Sequence, residues 1–173
     1  VARMGLDTAI RAVGPLAAAG VCRLVVGGDG PLRGELQRLS TELRCDAAFT
    51  GRLSEDELRL AYQAADLFLL PSRSLECFGL ISLEAMAMGC PVLGTRVGAI
   101  PEVLEPITPE LLIAPDDADS MSSKLQSIFS GDLRLPPADV LTGYVQRRYG
   151  REVITPQLTT LIQGAHNSAV AEA

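Results

Sequence analysis

Tryptophan is absent, aromatic residues make up only 4% of the chain, and there is one histidine, His166, and one lysine, Lys124. So few rings argue against a platform for single-stranded nucleic acid, on which successive bases must stack. The formal net charge of −6 points the same way, because a protein that tracks a phosphate backbone needs a basic face. No nucleic-acid partner is therefore expected. Acidity still allows a small phosphorylated ligand, held by backbone N–H groups and one or two cations. The cysteines Cys22, Cys45, Cys77 and Cys90 form no CxxC pair, and a single histidine leaves the usual zinc spacings unfilled, so no metal site is expected. Three of these thiols sit in or beside apolar segments and read as reduced and buried, as in a cytosolic protein. Cys77 is the exception. No apolar run approaches the roughly 20 residues of a membrane span.

What is present is a chain of 173 residues, 47% hydrophobic and 21% charged, which suits one globular domain over residues 1–173. Short β-rich runs alternate with longer helical patterns, the signature of a parallel sheet covered by helices. Strands are predicted at Cys22–Val26, Ala47–Thr50, Asp66–Leu70, Pro91–Gly94 and Leu111–Ala114. Helices are predicted from Leu6 to about Ala19, Leu32–Leu43, Ser54 to about Ala64, Phe78–Met88, Gly98–Leu104 after a turn, Asp116 to about Phe129, Ala138–Tyr149 and Arg151–Gln163. Leu32, Leu36, Leu39 and Leu43 share one face, and Ser54 with Glu57 reads as a capping box. Ser168–Ala173 should fray. A parallel sheet of this kind normally opens with a strand, and none precedes the first helix, so the chain reads as a piece of a longer protein.

In a parallel sheet every strand-to-helix loop lies along one edge, and ligands bind in the crevice outside the carboxyl ends. The three longest strands end in Gly27–Pro31, Pro71–Cys77 and Gly94–Pro101, which are rich in Gly, Pro, Ser and Thr. Gly27-Gly28-Asp29-Gly30-Pro31 lets a backbone approach a ligand closely, although a tight turn before a helix explains it equally well. Pro71–Gly89 is more informative. A helix starting near Phe78-Gly79 exposes the N–H groups of Phe78, Gly79 and Leu80 as an anion site. Glu84 lies on a helix otherwise too apolar to face water, which calls either for a buried ion pair with an arginine or for a ligand diol. Glu76, before the helix start, suits a hydroxyl better than a phosphate, which it would repel.

Together, Arg3-Met4-Gly5-Leu6-Asp7, Val26-Gly27-Gly28-Asp29-Gly30-Pro31, Phe49-Thr50-Gly51-Arg52, Tyr62-Gln63-Ala64-Ala65-Asp66, Pro71-Ser72, Glu76-Cys77-Phe78-Gly79-Leu80, Glu84-Ala85-Met86-Ala87-Met88-Gly89-Cys90-Pro91-Val92 and Gly98-Ala99-Ile100-Pro101-Glu102-Val103 carry a resemblance. From Arg3 to Ile162 the chain resembles the C-terminal, donor-binding domain of family 4 (group 1) glycosyltransferases, retaining enzymes of the GT-B fold. The resemblance implies an α/β fold, a Rossmann-like parallel sheet flanked by helices, forming one half of a GT-B protein and lacking the first strand. It implies that Glu76, the catalytic-site carboxylate, binds hydroxyls of the transferred hexose and that Glu84 binds the ribose. The Phe78, Gly79 and Leu80 backbone would hold the diphosphate, with Gly28 close to it and Arg52 and Leu53 beside the base.

The implied donor is a UDP-, GDP- or ADP-sugar, used without cofactor or metal in carbohydrate or cell-envelope biosynthesis. The implied partner is an acceptor-binding N-terminal domain of the same native chain. Localisation would be cytoplasmic, with any membrane-surface association, at the inner face, made through that other half. Two departures stand out: of the arginine and lysine with which the family usually clamps the diphosphate, Met4 occupies the lysine position, with Arg3 the candidate substitute, and the arginine would precede Val1; the acceptor-binding N-terminal domain is also absent. The 173 residues alone are expected to bind donor without turnover. Other readings are a non-catalytic nucleotide-binding module, a dinucleotide oxidoreductase, which would need GxGxxG, and an epimerase or phosphorylase. A phosphorylase would need a lysine for pyridoxal phosphate, and Lys124 lies on a predicted surface helix.

Overall fold

The computed structural model describes residues 2–171, with side chains described for residues 3–163. A 3₁₀ turn, Ala2–Met4, leads into α1 (Leu6–Ala18), followed by β1 (Leu24–Gly27), α2 (Arg33–Glu42), β2 (Ala47–Gly51), α3 (Glu55–Ala64) and β3 (Phe68–Leu70). Then come α4 (Leu80–Ala87), β4 (Val92–Thr95), α5 (Ile100–Leu104), β5 (Leu112–Ile113), α6 (Ala118–Phe129), α7 (Ala138–Tyr149) and α8 (Arg151–Ala171).

Every strand pairing is parallel, but the strands form two sheets rather than one: β1–β2, and β3–β4–β5. The division has a topological cause. A doubly wound sheet joins such halves through its first strand, and among the described residues none bonds to the open edge of either β1 or β3. The chain is a Rossmann-like α/β fold without that strand.

β4 shows how the larger sheet is covered. Its four residues are all buried, as expected of a strand with helices on both faces. Side chains alternate across a strand, so Val92 enters a core with Met86, Ile100, Val103, Leu104 and Leu141, from α4, α5 and α7. Leu93 enters the opposite core with Ile10, Val13, Met121 and Leu125, from α1 and α6. Gly94 lets α5 lie close, because a Cβ there would stand 2.8 Å from Leu104 Cδ1 and 2.9 Å from Ile100 Cγ2.

Local signals hold where chemistry is local. Ser54 and Glu57 form the reciprocal capping box of α3, and Asp117 caps α6 by accepting from the Ser120 N–H at 2.8 Å. Leu36, Leu39 and Leu43 of the α2 region pack on the second core. Several helix bounds differ from expectation, among them the starts of α5 at Ile100 and α6 at Ala118. α4 begins at Leu80 rather than Phe78, because Gly79 takes a left-handed conformation (φ 69°). α8 continues to Ala171, past the expected end at Gln163; Gly164 is the lone weak stop in that stretch. The expected fraying of Ser168–Ala173 falls on side chains, and at its last two positions on residues, outside the described set.

Candidate functional site

The β3–α4 loop is built on two buried hydroxyls. Thr95, at the end of β4, donates its hydroxyl to the Ser72 carbonyl at 2.6 Å. The Ser72 hydroxyl in turn donates to Glu76 Oε2 at 3.1 Å. Thr95 and Ser72 are each 1% exposed, whereas Glu76 is half-buried. The carboxylate is therefore oriented from beneath and open above.

Two neighbouring turns press against this loop. Gly98 (φ +54°) lies so near that a Cβ would stand 1.7 Å from the Glu76 carbonyl oxygen. Gly5 (φ +63°), which caps α1, would bring a Cβ to 2.0 Å from the Pro71 carbonyl oxygen. Positive φ and contact of this kind leave room only for glycine. The Arg73 N–H donates to the Arg3 carbonyl at 2.8 Å, and Arg3 Nη1 donates to the Leu75 carbonyl at 2.9 Å. Arg3 is thus held against the Leu75 carbonyl, one residue before Glu76.

Arg73 ties the same loops from the side. Its guanidinium donates to Asp7 Oδ2 at 2.6 Å and to Thr8 Oγ1 at 3.1 Å, and it also pairs with Asp116. Burial favours the neutral form of Asp7, but the Arg73 hydrogen bond and charge, with backbone donors, outweigh it and hold the carboxyl below its ordinary value.

At the start of α4, no hydrogen bond is made by the Phe78, Gly79 or Leu80 N–H among the described residues. Ser82 closes the first turn instead, its N–H and hydroxyl both donating to the Gly79 carbonyl, at 2.8 and 2.6 Å. Three donors at the positive end of the helix are therefore left without a partner among the described residues. Glu84 is the correction here. The apolar helix suggested burial, yet Glu84 is exposed and has no ion pair among the described residues. It lies one turn beyond Leu80 on the outward face, since residues i and i+4 share a face. Four residues of helix rise about 6 Å, so the carboxylate stands clear of an anion at the helix end.

A second cluster lies at the ends of β1 and β2. The Gly28 N–H donates to the Gly51 carbonyl at 2.7 Å. A Cβ on Gly28 would meet nothing within 4 Å, so the space beside it is open. One on Gly27 would stand 3.4 Å from Leu53 Cδ1, which brings Leu53 against the same turn. Arg52 is exposed and without an ion pair among the described residues. No described hydrogen bond joins this cluster to the Glu76 loop.

Of the four cysteines, Cys77 alone is exposed, and it stands inside the first cluster. Sequence reasoning missed Ser72 as the support of Glu76, Arg73 as a clamp, and Tyr62.

The family described as "Glycosyl transferases group 1" matches residues 1–130. The chain belongs to the group 1 glycosyltransferases. A GDP-mannose-dependent monoacylated alpha-(1-6)-phosphatidylinositol monomannoside mannosyltransferase of Corynebacterium glutamicum is 29% identical over 171 residues, covering 94% of this glycosyltransferase chain and 45% of that one. The 2-deoxystreptamine glucosyltransferase of Streptomyces kanamyceticus is 32% identical over 168 residues, covering 95% and 40%. Among solved structures, sucrose-phosphate synthase from Thermosynechococcus elongatus superposes with a TM-score of 0.82 at 26% identity, over 97% of this chain and 44% of that one. An Anabaena protein solved with UDP and glucose shares the fold, with a TM-score of 0.80 at 20% identity over 95% and 46%. The chain spans less than half the length of each of these relatives, and the two solved neighbours are GT-B glycosyltransferases.

Proposed function

We propose that this chain binds a nucleotide-diphosphate sugar and forms the donor half of a retaining hexosyltransferase. The observation that carries the reading is the set of three unpartnered N–H groups at the start of α4, flanked by Glu76 and Glu84, in a chain of this family. A diphosphate suits those donors and the helix end, and Arg3 adds a full positive charge beside them. Glu84, about 6 Å along the axis, suits the ribose diol. Glu76, steadied by Ser72, suits hydroxyls of the hexose. Gly28 leaves space for the diphosphate, and Arg52 and Leu53 flank the base.

In the reaction the bond from the anomeric carbon to the diphosphate oxygen breaks, and the acceptor hydroxyl enters on the same face. Its proton passes to the departing diphosphate. The helix-end donors and Arg3 stabilise the negative charge that develops there, which is the largest catalytic contribution expected of such a site. No step calls for a metal or a cofactor. The acceptor is held by a second domain of the native protein, so the 173 residues bind donor without transfer. Among the described residues no helix is long and apolar enough to cross a membrane; the proposed location is the cytoplasm, with any contact at the inner membrane face made by the other domain.

Calorimetric titration with UDP-, GDP- and ADP-sugars tests this. Heat is expected with one series, and Glu84→Ala is expected to weaken that binding by about tenfold or more, as for loss of a hydrogen bond to a charged group. If no series binds, or if Glu76→Ala and Glu84→Ala both bind as tightly as the unaltered chain, the proposal fails. A non-catalytic nucleotide module would bind free nucleotide as well as the sugar derivative and ignore both substitutions.

A further inference from the structure

Tyr62 sits near the end of α3 with 5% of its surface exposed. Its ring stands edge-on to Phe68, with centroids 5.5 Å apart and planes at 87°, and that packing fixes its direction. The hydroxyl at the end of the ring is buried and makes no hydrogen bond among the described residues. Buried hydroxyls are nearly always paired, and an orphan bears its desolvation cost with no return.

Tyr62 shares a core with Leu83 and Ala85, and Gln63 Nε2 approaches Met88 Sδ at 4.0 Å, so the end of α3 lies against the Glu84 turn of α4 and brings the Glu84 carboxylate beside this hydroxyl. Burial first, then the Glu84 charge and a hydrogen-bonding contact with the same carboxylate, push Tyr62 ionisation far above its ordinary range, so the phenol keeps its proton. Glu84 itself faces outward without an ion pair. A fixed phenol donor thus adjoins an exposed carboxylate, close enough to interact but without a well-formed hydrogen bond between them. Such bonds are commonly loose in an empty site and tighten when ligand arrives.

We propose that Tyr62 is the positioning residue for Glu84: its hydroxyl donates to one carboxylate oxygen and leaves the other to receive ligand hydroxyls. A carboxylate carries about four acceptor sites, enough for one phenol and a diol together. The bond is charge-assisted and comes from a rigid ring, so it restricts the Glu84 side chain before the ligand does. The ligand then loses less on ordering it. Tyr62 does not touch the ligand in this arrangement; it acts through Glu84. The inference rests on the reading of Glu84 as the diol-binding carboxylate.

The test is a double-substitution cycle in the 173-residue chain, using Tyr62→Phe, Glu84→Ala and both together. The probes are UDP, GDP and ADP, each beside its 2′,3′-dideoxy form. Tyr62→Phe is expected to weaken the bound ribonucleotide about five- to tenfold, in line with loss of a hydrogen bond to a charged group. With alanine at 84 the same change should move affinity by less than about twofold, as coupled neighbours require. Binding of the dideoxy form should be nearly indifferent to Tyr62→Phe. An equal loss with and without Glu84, an equal loss for both nucleotide forms, or no loss while Glu84→Ala is damaging would each overturn the role of Tyr62 and leave Glu84 standing. If Glu84→Ala itself has no effect, the reading of Glu84 falls, and this inference with it. Phenylalanine keeps the ring against Phe68, and a melting temperature at or above that of the unaltered chain is expected.

Discussion

Replacing Gly98 by alanine should displace the Glu76 loop without altering any side chain that touches a ligand. At φ +54° an L-residue is strained, by about 1 kcal/mol. The new Cβ would also stand 1.7 Å from the Glu76 carbonyl oxygen and 2.8 Å from its carbon, where ordinary contact begins near 3.4 Å. Both obstructing atoms are backbone, so no rotamer change relieves them. Either the Gly98 turn or Glu76 must move by about 1.5 Å, and misplacement on the order of 1 Å can cost up to about a hundredfold at a site that depends on geometry. The control is Gly20→Ala: Gly20 has φ +72° and nothing within 4 Å of its Cβ position, so it has the strain without the collision. Affinity for the nucleotide sugar by calorimetry should fall at least about tenfold for Gly98→Ala. It should be unchanged for Gly20→Ala, with only about 1 kcal/mol lost in a denaturant melt. Affinity within twofold of the unaltered chain for Gly98→Ala would refute the claim that the position of Glu76 governs donor binding.

Other outcomes follow from the same contacts. Arg73→Met should destabilise the chain at pH 7 by about 1 kcal/mol, a figure kept low because the partner carboxylates are partly exposed and screened. Because Arg73 depresses Asp7, that stability is complete above the ordinary carboxylate value and is lost as pH falls through the depressed one. Thermal melts should therefore separate the two chains at pH 7 and draw together as pH falls below the ordinary carboxylate range. Alkylation followed by mass spectrometry should modify exposed Cys77 first, with nucleotide sugar slowing the reaction. Cys90, its thiol pushed up to about 11 by burial and then by Asp66, should stay unmodified in the folded chain. Leu141→Ala, at a fully buried position of α7, should cost about 3 kcal/mol in urea unfolding and leave affinity for donor intact.

Much of this was legible in the sequence because it is local. The capping box at Ser54 and Glu57, the stop at Gly89, and α7 over Ala138–Tyr149 each depend on residues a few positions apart. The three N–H groups at Phe78–Leu80 were expected from a helix start near Phe78-Gly79, which the left-handed Gly79 moves to Leu80. What stayed hidden is long-range. Gly98 gives no sign in its own segment that it must pass the Glu76 carbonyl, nor Gly5 that it must pass Pro71. Arg73 reads as a surface charge until folding brings Asp7 and Asp116 to it. Glu84 misled for the opposite reason: apolar neighbours on both sides suggested burial, whereas the outward face is only the width of Leu80 and Glu84. The gap between β1 and β3 is likewise a property of the whole sheet.

The central claim is that the start of α4 receives the diphosphate. Backbone amide resonances followed by NMR during titration with UDP-, GDP- and ADP-sugars test it most directly, because the free N–H groups are themselves the reporters. The account predicts that the series that binds moves Phe78, Gly79 and Leu80 most, with Glu84 shifting alongside them. Perturbation confined to Gly27–Gly30, with the α4 amides still at saturation, would contradict it.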